Sequence, residues 1–232
     1  EFRRVLFRSS ELLKYQLISA FHQMSDGTAY ADASAGTRNT FVTNNSDRIL
    51  FGAAKSNASS GIMATALGNV DSTSDKLTPA IGSIAKRMAR TASPHIRPFK
   101  TGTQGREYYV MFCNPWCFKD LKANTTIIAN NQTARAREGD AMDKNPLFQD
   151  GDQIYDGIIV RQVPEISSFV TNVWTTLKTA GNGSARVEPV FLCGQQAAAM
   201  AWGQMAKPTF RKEDDYGFVT GTGIEMAYGV SK

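Results

Sequence analysis

Histidine is nearly missing from this chain, with two residues in 232, and cysteine is scarce, with three. His22 and His95 fall on different predicted elements, and Cys113, Cys117 and Cys193 offer no pair with ligand spacing. Structural zinc takes four nitrogen or sulfur ligands, so these residues predict no metal centre. The odd cysteine count, with each thiol in or beside an apolar run, predicts buried free thiols in a reducing compartment and no disulfide. No run approaches the roughly 18 consecutive apolar residues that a membrane-spanning helix needs, and no secretory signal is present. Glycine-rich chemistry is missing too. Gly102 to Gly105, Gly181-Asn182-Gly183 and Gly221-Thr222-Gly223 lack the Lys-Ser/Thr of a phosphate loop and the third glycine of a dinucleotide fingerprint. No Gly-x-Ser-x-Gly elbow occurs, and nothing nominates a base for any serine. Asp150, Asp152 and Asp156 with Gly151 resemble a calcium loop, but the glycine is misplaced and no bidentate glutamate follows, so they read as turn formers. Enzymatic function therefore has no residues to carry it, and neither cofactor nor metal is expected.

What is present suits a packed core: 42% hydrophobic residues and 10% aromatics, in a chain long enough for one large domain or two small ones. The formal charge is +5, of which Arg3, Arg4 and Arg8 against Glu1 supply +2, leaving +3 for the rest. A dedicated DNA-binding domain concentrates more positive charge than this on one face.

The chain is organised around 145–163, where a loop tightened at Asn145-Pro146 and Asp156-Gly157 opens into Ile158-Ile159-Val160. Three consecutive β-branched residues predict a strand covered on both faces. Tyr108 to Cys113 and Val190 to Cys193 are its expected neighbours in an interior sheet.

Residues 1–9 read as a non-native leader, because Leu6-Phe7-Arg8-Ser9 matches the translation of a common sequencing adapter, as in a metagenomic fragment. A helix is predicted from a Ser10 cap through Leu13, Leu17, Ala20, Phe21 and Met24 to a stop at Gly27. From Asp26 to Ser74 the Ala, Ser, Thr, Asn and Gly composition predicts an extended, poorly regular insertion that leans on a neighbour, for which a partner subunit would serve. Thr78-Pro79 caps a helix whose apolar stripe is Ile81, Ile84, Ala85, Met88 and Ala92, and which stops at Ser93. Its other side carries Lys86, Arg87 and Arg90; with Arg97, Lys100 and Arg106 they form the most basic part of the chain. Asn114-Pro115 caps a short helix, Trp116 to Lys122, and 124–144 reads as a loop. Ile166 to Leu177 follows a helical period, Gly181-Asn182-Gly183 is a turn, and Gln195 to Trp202 is expected to be an alanine-rich helix packed close to the sheet. After Glu213-Asp214-Asp215, the alternation of Ile224, Met226, Tyr228 and Val230 predicts a half-exposed strand, where the chain ends abruptly.

Tyr108 to Pro115 followed by Trp116 to Leu121, Lys144-Asn145-Pro146-Leu147-Phe148, Tyr155-Asp156-Gly157-Ile158-Ile159-Val160, Phe191-Leu192-Cys193-Gly194-Gln195-Gln196-Ala197, Ala201-Trp202-Gly203 and Asp215-Tyr216-Gly217 form an ordered set. In that order they resemble the major capsid proteins of tailed double-stranded DNA bacteriophages, in the branch typified by coliphage N-four. The resemblance spans roughly Ser10 to Tyr216, and its specificity lies in the combination.

The resemblance implies an α+β fold, the Hong Kong type of phage major capsid fold. An axial domain holds a central mixed sheet flanked by helices, and a peripheral domain holds a spine helix. On that picture 10–75 is the end of the spine helix with the polar insertion, 76–205 the axial domain, and 206–232 the return to the peripheral domain. An N-terminal arm, an extended loop and the first part of the spine helix would precede Ser10. The implied function is a structural subunit that self-assembles into the hexamers and pentamers of an icosahedral shell. Its implied partners are other copies of itself, scaffolding, portal or decoration proteins, and packaged DNA by non-specific contact, with no membrane. The implied location is the virion, after assembly in the host bacterial cytoplasm. Two other readings start from the residues: a basic nucleic-acid-associated module using the cluster from Lys86 to Arg106, and a hydrolase built on the Asp150, Asp152 and Asp156 loop.

Overall fold

A computed structural model describes residues 2–24, 27–30, 32–101, 105–129, 153–168, 179–212 and 220–232. It divides into two compact units, one of 1–27 with 196–232 and one of 28–195. This differs from the expected segments: 28–75 groups with the sheet rather than with the first helix, and 196–205 leaves the sheet's unit.

The larger unit is built on strand β2 (Arg106–Cys113), which is hydrogen-bonded along both edges. On one edge β4 (Ile158–Gln162) runs parallel to it, Tyr109 opposite Ile158 and Met111 opposite Val160. The other edge is shared by two short antiparallel strands, β1 (Phe99–Thr101) at its start and β5 (Phe191–Cys193) at its end. Strand β3 (Gln153–Tyr155) forms a hairpin with β4, closed by Asp156 and Gly157 at φ 49° and 71°. Two central residues with positive φ define the turn type that matches strand twist, and Asp-Gly is its preferred sequence.

Side-chain alternation puts Tyr109, Met111, Cys113, Ile158 and Val160 on one buried face. Helices α4 (Pro79–Thr91) and α5 (Pro115–Lys122) contribute Ala89, Phe118 and Leu121 to the same core. At Gly82 the missing side chain brings α4 close to Ile158 and Met111. Ile159 on the opposite face is only half-buried, so β4 is not covered on both sides as its β-branched run predicts. Both helices start at the expected caps. Thr78 accepts from the Ile81 N–H, Asn114 accepts from the Cys117 N–H at 2.8 Å, and each is followed by proline in the first turn.

The expected irregular insertion is instead folded. It contains α2 (Ala35–Asn44), a 3₁₀ turn at Lys55–Ala58 and α3 (Met63–Gly68), around buried Val42, Phe51, Met63, Ala66, Leu67 and Val70. Its many asparagines and aspartates replace missing backbone partners. Asn39 accepts from the Met63 N–H at 3.0 Å, the Asn57 amide donates to the Phe51 carbonyl at 2.9 Å, and Asp75 accepts from the Ala53 and Asp71 N–H groups at 2.6 and 2.9 Å. Asp47 and Arg48 grip the backbone of Ser93, just past α4: the carboxylate accepts from its N–H at 3.0 Å and the guanidinium donates to its carbonyl at 2.7 Å.

In the smaller unit, α1 runs Phe2–Phe21, so Ser10 lies within it and does not cap it. Ile18, Ala20 and His22 are buried at its end, while Leu17, expected on the apolar stripe, is exposed. Gln195 to Trp202 forms no helix. Ala199–Lys212 is a long strand, β6, antiparallel to β7 (Thr220–Ser231), and α1 packs against β7. Helix propensity in the alanine run is worth only tenths of a kilocalorie per residue, and pairing with β7 overrides it. Of the expected 124–144 loop, residues 125–129 are helical. The rest of it, the Asn145-Pro146 turn, the helix from 169 onward and the Glu213-Asp214-Asp215 turn lie outside the described residues. Glu165–Ser168 is helical, as its period predicts.

Two substitutions test this packing. Gly194→Ala places a Cβ against the Arg97 backbone carbonyl and is expected to cost about 3 kcal/mol. Asp75→Ala leaves two backbone donors unpaired and is expected to cost about 2 kcal/mol. Both appear as a lower urea midpoint at unchanged slope.

Candidate functional site

Among the described residues, burial sets the state of the three thiols and of one histidine. Burial pushes the Cys113 and Cys117 thiols up to about 12 and Cys193 up to about 11, so all three stay protonated at neutral pH and none is a ready nucleophile or thiolate ligand. Burial, helped by Lys232, pulls His22 down to about 4 and keeps its ring neutral. His95 is exposed on the loop after α4, far along the chain from His22 and in the other unit. Among the described residues no three His, Cys, Asp or Glu side chains could hold a metal ion. Asp156, from the expected aspartate loop, is a turn residue held by α4, while Asp150 and Asp152 lie outside the described residues. A cavity of about 20 Å³ between α4 and the sheet, lined by Leu77, Pro79, Met111, Tyr155 and Ile158, has room for about one water. Small-molecule sites are more than ten times larger.

What the larger unit does present is a charged rim. The exposed side of α4 faces the start of the β1–β2 ladder and the β3–β4 turn. Lys86 Nζ lies 2.9 Å from Asp156 Oδ1 and also donates to the Asp156 carbonyl, and Ser83 Oγ donates to Asp156 Oδ2 at 3.1 Å. Hydrogen bonding from Lys86 therefore holds the Asp156 carboxyl below the usual carboxylate range. Arg90 and Lys100 reach the two oxygens of Glu107 at 3.6 and 3.9 Å. Three of the six predicted basic residues are thus engaged within the unit, which only the fold reveals. Arg87 and Arg106 are exposed, with no carboxylate within 4 Å among the described residues. Arg97 belongs elsewhere, since its carbonyl accepts from the Gln195 N–H at 2.7 Å at the junction with β5.

Two apolar features were not legible as surface. Trp116, in the first turn of α5, is 54% exposed and carries the Arg186 guanidinium 4.4 Å above its ring, while Arg186 Nε donates to the buried Glu188 carboxylate at 2.6 Å. The β6–β7 ribbon is amphipathic. Register pairs Met200 with Val230, Trp202 with Tyr228 and Pro208 with Ile224 on one face. Trp202 stacks on Tyr228 with centroids 5.5 Å apart. Toward the far end Met205 and Phe210 are 72% and 73% exposed. The alternation of Ile224, Met226, Tyr228 and Val230 gave the sign of this face; the run at Ala199 to Trp202 hid the other half.

A family model described as phage capsid protein matches residues 5–232. No curated protein matches the sequence. Among solved structures, the chain is 35% identical to a chain of the cyanophage Pam1 capsid asymmetric unit, with a TM-score of 0.76 over 95% of this chain and 65% of that one. The capsid of Ralstonia phage GP4 is 19% identical with a TM-score of 0.56, over 98% of this chain and 60% of that one, which is a likeness of fold. The chain thus spans somewhat less than two thirds of each solved capsid chain.

Two pH responses follow from the site. A base whose folded pKa lies below its unfolded value favours the unfolded state when protonated. The His22 contribution is therefore complete above about pH 6.5 and is lost as pH falls toward about 4. His22→Phe is expected to flatten that part of the stability–pH curve in chemical denaturation. Asp156 is the opposite ion type with a lowered pKa, so its contribution is present above about pH 3.9 and lost in more acid solution. Asp156→Asn should cost no more than about 1 kcal/mol at neutral pH and reduce the acid slope below about pH 4.

Proposed function

The chain belongs to the phage capsid protein family, its role is that of a structural capsid subunit, and on that premise we propose that it works by self-association into the hexamers and pentamers of an icosahedral shell around double-stranded DNA. The observation that carries this reading is the agreement with the cyanophage capsid chain, close in fold over 95% of these residues at 35% identity. We assign the fold to the Hong Kong type: the unit of α1 and the β6–β7 ribbon corresponds to the peripheral domain with its spine helix, and the unit around β2 to the axial domain. Shell building needs repeated contacts under closed symmetry and no catalytic constellation. A non-enzymatic role is part of the proposal and rests on the family match. The apolar end of the ribbon supports self-association, since an isolated two-stranded ribbon is marginal in water and its uncovered face would gain from a neighbour. Scaffolding, portal or decoration proteins complete the set of proposed partners, with assembly in the host cytoplasm and residence in the virion.

A self-standing nucleic-acid module is the weaker reading, because the family match and the likeness to a capsid chain extend over nearly all of these residues.

Expression of the whole reading frame that contains these residues, followed by sedimentation and electron microscopy, should yield shells, tubes or ring-shaped capsomers. A monomer at all salt and protein concentrations, even with the scaffolding protein co-expressed, would refute the proposal. Met205→Asp with Phe210→Asp should leave the thermal midpoint of the subunit nearly unchanged, as both side chains are more than 70% exposed, and should suppress assembly at least about tenfold in critical concentration.

A further inference from the structure

The charged rim of the larger unit has a composition suited to one kind of partner. Lys86, Arg87 and Arg90 occupy one face of α4, and the pairing with Glu107 brings Lys100 of β1 to that same face. Arg106, one residue before Glu107, is exposed on the other side of the strand. On the face of α4 four cations stand against the carboxylates of Glu107 and Asp156, a net of +2.

The pairs to Glu107 are long and exposed. Arg90, Lys100 and Glu107 have side chains 53%, 69% and 43% accessible, and such pairs contribute about 0–1 kcal/mol in water. Glu107 therefore spaces two cations while leaving most of their N–H donors open, since a guanidinium alone has five. Among the described residues, the large apolar side chains that are exposed all lie on elements other than α4, β1, β2 and the β3–β4 turn. A protein interface is centred on apolar and aromatic anchors, whereas a phosphate backbone needs only positive charge and hydrogen-bond donors.

We propose that this rim, centred on Arg87, Arg90 and Lys100, is where the subunit touches the phosphate backbone of duplex DNA, without reading its bases. The inference rests on the capsid reading above and adds a location to it. Glu107 acts within the rim as a moderator: it weakens the hold of each cation on a phosphate, which keeps the polymer free to slide past many equivalent subunits.

Fluorescence anisotropy with two duplexes of unrelated sequence, each of about 30 base pairs, tests this over a range of salt. Both duplexes should bind equally, with log affinity falling linearly in log salt. The triple substitution Arg87→Ala, Arg90→Ala, Lys100→Ala should reduce that slope by about 0.9 for each phosphate no longer neutralised and weaken binding about tenfold or more at moderate salt. Glu107→Gln should act in the opposite direction and tighten binding severalfold, a result that a merely structural role for the ion pairs would not give. All of these side chains are exposed, so circular dichroism and thermal midpoints should stay close to the parent. No duplex binding, equal binding by parent and both variants, or displacement of DNA by poly-glutamate at matched charge would overturn the proposal, the last by making the rim a seat for an acidic polypeptide. Shells observed by electron microscopy for parent and triple variant alike keep the capsid reading intact whatever the binding result. Their absence for the parent even with the scaffolding protein co-expressed would refute that reading and leave the anisotropy to judge the rim on its own.

Discussion

Strand β2 is hydrogen-bonded on both edges and buried on one face, and the rest of the larger unit is arranged to satisfy it. Its parallel partner β4 cannot be reached by a tight turn, because parallel strands need a crossover, and α5 begins that crossover immediately after Cys113. The antiparallel edge is divided between β1 and β5, so residues far apart in sequence meet along eight residues of one strand. Tyr109 at its centre is 1% exposed and keeps its hydroxyl satisfied by donating to the Ile96 carbonyl at 2.9 Å. The segment after α4 is thereby tied to the sheet, and with it the end of the helix that carries the charged rim.

The chain is short of long apolar runs, and polar side chains take a large share in holding it together. Asn39, Asn57 and Asp75 supply hydrogen bonds to backbone groups that no helix or strand would satisfy, each worth about 1 kcal/mol net and more when its loss strands a buried partner. The same economy governs charge. Lys86, Arg90 and Lys100 first fasten α4 to the turn and ladder around it, and only the remaining hydrogen-bonding capacity faces outward.

Much of the larger unit was legible in the residues themselves. The caps at Thr78 and Asn114, the strand at Tyr108 to Cys113, the Asp156-Gly157 turn and the strand after it are local signals read over a few residues, and each is found where it was expected. The departures share a cause. Asp26 to Ser74 looks too poor in apolar residues to fold, because composition does not show that six apolar side chains from separate turns converge or that asparagine amides complete the backbone between them. Gln195 to Trp202 looks helical because alanine carries a weak helical preference, which pairing of Ala199 to Trp202 with Tyr228 to Ser231, far along the chain, outweighs. The rim was visible as a basic cluster, but not which of its members are already paired.

By itself the sequence determined the start points of the helices at Thr78 and Asn114, the central strands and, through an ordered set of motifs, the capsid family. These are statements about residue types and near neighbours, and local sterics and hydrogen bonding enforce them wherever the segment lies. Only the tertiary structure decided how the chain divides into units, which face of β4 is buried, that Ala199 belongs to a ribbon, and which lysines and arginines keep donors to spare. Each of those depends on pairing between segments distant in sequence, and the free energy of such a pairing belongs to neither segment alone.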